Sequence, residues 1–319
     1  MGMRVSRGDQ ARHQRRAARV GGLAALTMLT GLAPVVWGTT YLVTTEFLPS
    51  GQPLWSAAIR ALPAGLLLLA ITRTLPRGSW WWRVGVLGTL NIGAFFALLF
   101  VAAYRLPGGL AATVIATQPL LVAGLALVLL AERPTRWRLG WGVAGVLGVA
   151  MMVLRGQVRL DLLGIGAAVA AAVVMATGIV LTRRWARPVG VWAFTGWQLT
   201  AGGLVLTGLA VLTENPPTSV DLAAVAGYAW LAIPGALLAY VVWFHGIARL
   251  PVTAVSFLGL LSPVVATILG WLVLGQSLTL IQTLGFLLAL ASILAAQLPP
   301  TVTDRIRARH SRDQTRRPR

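Results

Sequence analysis

The 319-residue sequence contains no cysteine and no lysine, only eight acidic residues and three histidines. Without cysteine, disulfides, thiolate catalysis and cysteine-based metal sites are excluded. Without lysine there is no Walker A motif, so the chain binds no ATP through a P-loop of its own. Two of the histidines, His13 and His310, lie in the end segments, which leaves too few for a zinc enzyme. Charged residues make up 11% of the chain, against about 25% in a soluble domain. Such a chain cannot dress a water-facing surface.

What the sequence has instead is apolar length. Hydrophobic residues reach 57%, and Gly108 to Leu130 runs 23 residues without a charge. About 20 such residues cross a bilayer core. Runs of this kind recur at 24–44, 54–72, 83–104, 108–130, 139–154, 162–181, 191–213, 223–246, 252–274 and 278–297. The reading is an all-α integral membrane protein of ten transmembrane helices, with nine or eleven as alternative counts. Residues 1–22 and 299–319 read as basic cytoplasmic tails, 23–156 as a first five-helix repeat and 157–298 as a second. Arg15-Arg16 before the first run mimics a twin-arginine signal. No cleavage site and folded domain follow, so the run reads as an uncleaved signal-anchor.

All 27 basic residues are arginine, and they set an orientation. With the N-terminus inside, alternation puts 23 arginines in cytoplasmic segments and three (Arg105, Arg155, Arg159) outside. Arg60 falls within a span. The bias predicts an N-in, C-in protein of a bacterial cytoplasmic membrane. The net charge of +19 therefore reports topology rather than a groove-binding face, and nucleic acid is not an expected partner. Trp80-Trp81-Trp82, Trp137 and Trp141 stand at predicted interfaces, where indole anchors to headgroups.

An internal repeat is visible at an offset of 144 residues. Arg105-Leu106-Pro107 matches Arg249-Leu250-Pro251, Pro119 matches Pro263, and Thr135 matches Thr279. Arg60 to Leu66 also faces Gln198 to Leu204 at an offset of 138. Five spans per half is an odd number, so the second half inserts upside down. Inverted halves suit a transporter that rocks about a midplane site. Pro119 and Pro263 each remove one helical N–H, which predicts freed carbonyls at Ile115 and Gly259. Such breaks at bilayer depth point to a pathway; the alternative is a plain kink.

Polar groups inside spans are the site candidates. They are Trp37, Thr40 and Tyr41 in span one, Arg60 in two, Asn91 in three, Gln118 with Pro119 in four, Gln198 in seven, Tyr240 in eight, and Ser262 with Pro263 in nine. Arg60 is read either as an anion-binding group or as a structural one, reaching the outer surface or pairing with Glu46. No carboxylate sits centrally in a span, so proton coupling would fall to Glu46 or His245. Gly140, Gly142, Gly145 and Gly148 read as packing positions. Glu132 is expected to pair with Arg133 or Arg136.

The stretches VVWGTTYLVTTEFLP (35–49), RALPAGLLLL (60–69) and AAYRLPGGLAATVIATQPLLVAGLALVLLAERPT (102–135) resemble the EamA-like permeases of the drug/metabolite transporter superfamily. The resemblance spans roughly 24–297. It implies ten helices in two inverted repeats, and export or uptake of metabolites, amino acids or amphipathic compounds. Where that family commonly repeats the Glu of its first half, this chain has Gln276 opposite Glu132. The expected function is secondary transport of a small organic solute through a central cavity in the lipid bilayer, without a cofactor. A channel and a lipid-modifying membrane enzyme are the rival readings. The enzyme would need clustered Asp or His-Glu, and the acidic residues are scattered.

Overall fold

A computed structural model describes residues 7–49, 51–105, 114–153, 161–217, 220–273, 275 and 278–298, without the side chains of 7–20, 41, 103, 104 and 153. The expected tail at 299–319, together with Gln276, Arg155, Arg159 and the Leu106-Pro107 pair, lies outside these residues. Among the described residues there is no strand.

The helical stretches follow one another with short connections. α1 is Arg7–Gly38, resumed as Thr40–Phe47. α2 is Pro53–Thr72. α3 runs as Trp80–Gly88 and Ala94–Arg105 around a π-helical turn, Thr89–Gly93. α4 is Gln118–Leu130 and α5 Arg136–Val153. α6 is Leu162–Arg184 and α7 Val191–Thr213. α8 runs as Leu222–Ala232 and Ala239–Arg249 around a second π turn, Ile233–Leu238. α9 is Val252–Leu258 with Leu261–Leu272, and α10 is Leu280–Gln297. Eight of these, all but α4 and α5, are long and apolar enough to cross a membrane by length and composition.

Helix ends follow local chemistry. Pro53 opens α2, where the missing N–H costs nothing. Asp161 and Asp221 cap α6 and α8 by accepting the Gly164 and Ala224 N–H at 2.9 and 2.7 Å. The Gly164 N–H, and next Arg105 at 3.4 Å, hold the Asp161 carboxyl below the usual carboxylate range. Thr279 and Gln282 cap α10 reciprocally. Ala131 ends α4 in the left-handed conformation (φ 54°).

Packing relates the two halves. α2 lies on α7, α5 on α10 and α4 on α9; α3 on α6 is matched by α8 on α1, and α4 on α6 by α9 on α1. Within this set of contacts, exchanging each helix with the one five places on returns the same pairs. The π turns obey this too, Thr89 and Ile233 being 144 residues apart. Glycine makes the self-paired contacts close. A Cβ on Gly65 would meet the Thr200 backbone nitrogen at 2.5 Å, and one on Gly148 the Ala289 nitrogen at 2.7 Å. The segments 60–66 and 198–204, matched in the sequence, are thus the two sides of one contact.

Three expectations change. Gly142, Gly145 and Gly148 do pack closely, but nothing lies within 4 Å of a Cβ on Gly140. Trp137 is more than an interfacial anchor, because its indole N–H donates to the Ala295 carbonyl at 2.9 Å and ties α5 to α10. The helix breaks near Pro119 and Pro263 exist, at Ala116–Thr117 and Gly259–Leu260. The Gly259 carbonyl is not free, however: it accepts the Ser262 N–H at 3.1 Å in a tighter turn.

Candidate functional site

The second π turn creates an acceptor inside the bundle. Pro234 has no N–H to give, and the Ala239 N–H bonds the carbonyls of Ala236 and Pro234. It skips Gly235, its partner in a regular α-helix. The Gly235 carbonyl receives two side chains instead. Arg60 of α2 donates through Nη2 at 3.1 Å, and Trp37 of α1 through Nε1 at 2.9 Å. π turns of this kind recur at functional sites.

Arg60 is 6% exposed, and its guanidinium lies 4.9 Å from the centre of the Phe96 ring. Its buried Nε has no partner among the described residues. Neither structural alternative expected for it holds. Arg60 does not reach the surface, and among the described residues no carboxylate pairs with it. Glu46 is exposed near the end of α1. The carbonyl and the ring compensate the cation only in part, because neither carries a negative charge.

Aromatic rings continue from Trp37 along α8. Trp37 lies 5.1 Å from Tyr240 and 5.2 Å from Trp243, Tyr240 lies 5.5 Å from Phe244, and Phe244 lies 5.8 Å from Phe194 of α7. Tyr240, Phe244 and Ala248 recur at helical spacing and share a face. Beyond Phe244 and Phe194 a cavity of about 320 Å³ opens between the ends of α6, α7 and α8, lined in part by Thr182, Arg183, Arg187 and Ala248. The rings separate it from Arg60.

The first π turn carries a second polar cluster. Asn91 stands 144 residues before Gly235 and is wholly buried. Its Nδ2 donates to Gln198 Oε1 of α7 at 2.7 Å and to Thr182 Oγ1 of α6 at 3.0 Å. Asn91 Oδ1 and Gln198 Nε2 have no partner among the described residues. Thr182 links this cluster to the cavity wall.

The structure thus gathers Trp37, Arg60 and Tyr240 in one place and Asn91 with Gln198 in another. Pro119 is buried, and Gln118, Ser262 and Pro263 are half-buried at the breaks of α4 and α9, joining neither group. Thr40 Oγ1 is buried without a partner. The Tyr41 side chain lies outside the described residues. His245 Nε2 sits 2.6 Å from Arg249 Nη1 near the end of α8. Glu132 does not pair with its sequence neighbours: it accepts the Val252 N–H at the start of α9 at 3.3 Å and lies 4.0 Å from Arg183 Nε.

Sequence reasoning missed the Gly235 carbonyl, Thr182 and the pair Arg183 and Arg187. A carbonyl has no residue-type signature. The two arginines count toward orientation in the sequence, and their meeting with Arg249 is visible only in the fold.

These features define a class: a multi-pass helical transporter built from two like halves, with polar groups held at the breaks of its helices. Two consecutive segments, 25–154 and 162–296, match the EamA-like transporter family. The chain belongs to that family. It is 46% identical over 83% of its length to protein PecM of Dickeya dadantii, covering 90% of that protein. It is 30% identical over 78% to the uncharacterized inner membrane transporter YedA of Escherichia coli, covering 83%. It is 26% identical over 82% to a probable amino-acid metabolite efflux pump of Salmonella typhimurium, covering 91%. A solved crystal structure shares the fold, with a TM-score of 0.76 at 21% identity, over 86% of this chain and 96% of that one. The protein is a multi-pass transporter of the bacterial plasma membrane.

Proposed function

We propose that the protein exports a small amphipathic organic solute, one with a carboxylate and an apolar body, by alternating access between its inverted halves. In this reading all ten helical stretches cross the bilayer, both chain ends face the cytoplasm, and neither channel nor enzyme chemistry is involved. The observation that carries it is Arg60, a buried guanidinium facing a carbonyl and a ring, with no carboxylate partner among the described residues. A solute carboxylate supplies the missing negative charge, through the N–H groups that Gly235 leaves unused. Trp37 and Tyr240 contact the apolar body, as most such cavities do. Arg60 begins about 10 Å along α2 at ~1.5 Å per residue, far enough from water for a charge to be retained for function. The name of the Salmonella relative, a probable amino-acid metabolite efflux pump, agrees with the outward direction.

Asn91 and Gln198 line the pathway beside this centre, and the breaks at Gln118-Pro119 and Ser262-Pro263 let the halves bend. The drive is a solute or ion gradient. Of the two candidate coupling groups, His245 is the better placed, on α8 near the cavity, whereas Glu46 faces solvent. Full-length protein in liposomes, loaded in turn with radiolabelled aromatic and aliphatic amino acids, tests the reading. Wild-type protein releases at least one of them. Arg60→Gln releases it at least about tenfold more slowly, as loss of one charged hydrogen bond dictates, and keeps its unfolding temperature. Wild-type rates in Arg60→Gln overturn the reading.

A further inference from the structure

The cavity beyond Phe244 presents donors and no acid. Among the lining residues, Arg183 gives Nη1 to the Ile247 carbonyl at 3.3 Å and to that of Ala248, and Arg187 gives Nη1 to the Val189 carbonyl at 2.8 Å. Among the described residues the buried Arg187 Nε has no partner. Thr182 Oγ1 accepts from Asn91, which leaves its own hydrogen for the cavity. Desolvation, followed by the nearby charge of Arg249, pushes the Arg187 guanidinium below its ordinary value. Among the described residues the carboxylate paired nearby is Glu132, 4.0 Å from Arg183 and already engaged by the Val252 N–H. Phe194 and Phe244, each 1% exposed, close the inner wall. At about 320 Å³ the space falls in the range of small-molecule sites.

We infer that this cavity is a second anion site, which takes the carboxylate of a soluble organic solute before the solute passes the ring barrier to Arg60. Arg187 and Thr182 hold the carboxylate, and Phe194 and Phe244 hold the apolar body. The inference rests on the export reading, since it makes this the loading site at the end proposed to face the cytoplasm. Two cationic stations on either side of Phe244, Tyr240 and Trp37 would pass one carboxylate inward along α8.

Benzoate is the probe, with benzamide as its neutral counterpart, titrated calorimetrically into full-length protein in phosphatidylcholine nanodiscs at constant chloride. Wild-type protein binds benzoate and not benzamide. Arg187→Gln weakens benzoate binding in this cavity at least about tenfold, Arg187→Lys restores part of it, and Arg60→Gln leaves the Arg187-dependent component in place. Equal binding by wild type and Arg187→Gln overturns the inference, as does the absence of binding. A third outcome overturns it as well: the protein ignores benzoate but retains phosphatidylglycerol in native mass spectra, and loses that lipid in Arg187→Gln. The cavity is then a headgroup site. Loss of benzoate binding in Arg60→Gln alone sinks this inference while leaving the central site standing. Wild-type export by Arg60→Gln, with binding still dependent on Arg187, does the reverse.

Discussion

Asn91 and Gln198 are fully buried on neighbouring helices, and each has one polar atom satisfied and one not. A buried amide left without its partner costs about 1–3 kcal/mol. Asn91→Ala is therefore expected to lower stability by about that amount, because it strands Gln198 Oε1. Adding Gln198→Leu returns part of the loss, the coupling between such groups in membrane helices being about 0.6 and at most about 1.7 kcal/mol. Reversible unfolding of the two single variants and the double variant reads this out directly. Strictly additive losses would mean that the bond holds no coupling energy. At this scale the sequence was informative wherever a polar side chain interrupted an apolar run. Arg60, Asn91 and Gln198 stood out because polar groups at that depth are costly to keep. What it did not show is who meets whom. Arg60 finds a main-chain carbonyl rather than Glu46, and that acceptor exists only because a π turn skips it.

Between elements, α2 approaches α7 closely along its backbone. Gly65→Ala puts a Cβ 2.5 Å from the Thr200 backbone nitrogen, which cannot move aside as a side chain does. Overpacking of this kind costs about 1–3 kcal/mol. Gly85→Ala on α3 meets nothing within 4 Å and serves as the control. Thermal unfolding in detergent is expected to fall for Gly65→Ala and to stay at or above wild type for Gly85→Ala, where alanine also favours the helix. A Gly65→Ala protein as stable as wild type would mean that the two helices separate at little cost. The helix breaks were legible in α4 and α9, where a proline marks each. In α3 the turn at Thr89–Gly93 holds no proline, and its one buried amide, Asn91, marks a polar site rather than a break. Only the matching of Asn91 to Gly235 across the halves shows that the two turns are one feature used twice.

For the whole molecule, the main helix pairs are preserved when the halves are exchanged, and this bears on how the chain sits in the membrane. On the proposed reading each half has five crossings and the second inserts inverted, so a single accessible position fixes every loop. Orientation by arginine bias is a statement about insertion, and the absence of cysteine makes it testable without first removing any native thiol. Pro188 lies in the connection between α6 and α7, and Asn215 lies just beyond the end of α7; both are exposed. With both chain ends in the cytoplasm, Pro188 is cytoplasmic and Asn215 is periplasmic. In intact cells with a permeable outer layer, a membrane-impermeant maleimide is expected to label Asn215→Cys and to spare Pro188→Cys until the cells are broken open. The reverse pattern turns the molecule over and moves the arginine cavity to the outside, so that the same two stations would serve uptake. Labelling of both in intact cells means that α7 fails to separate the two sides. The charge pattern was therefore legible as a direction, but Arg183 and Arg187 contribute to that bias and to the cavity at once. A count along the chain registers the first role. The second appears only when α6 and α8 bring Arg183, Arg187 and Arg249 to the same end of the bundle.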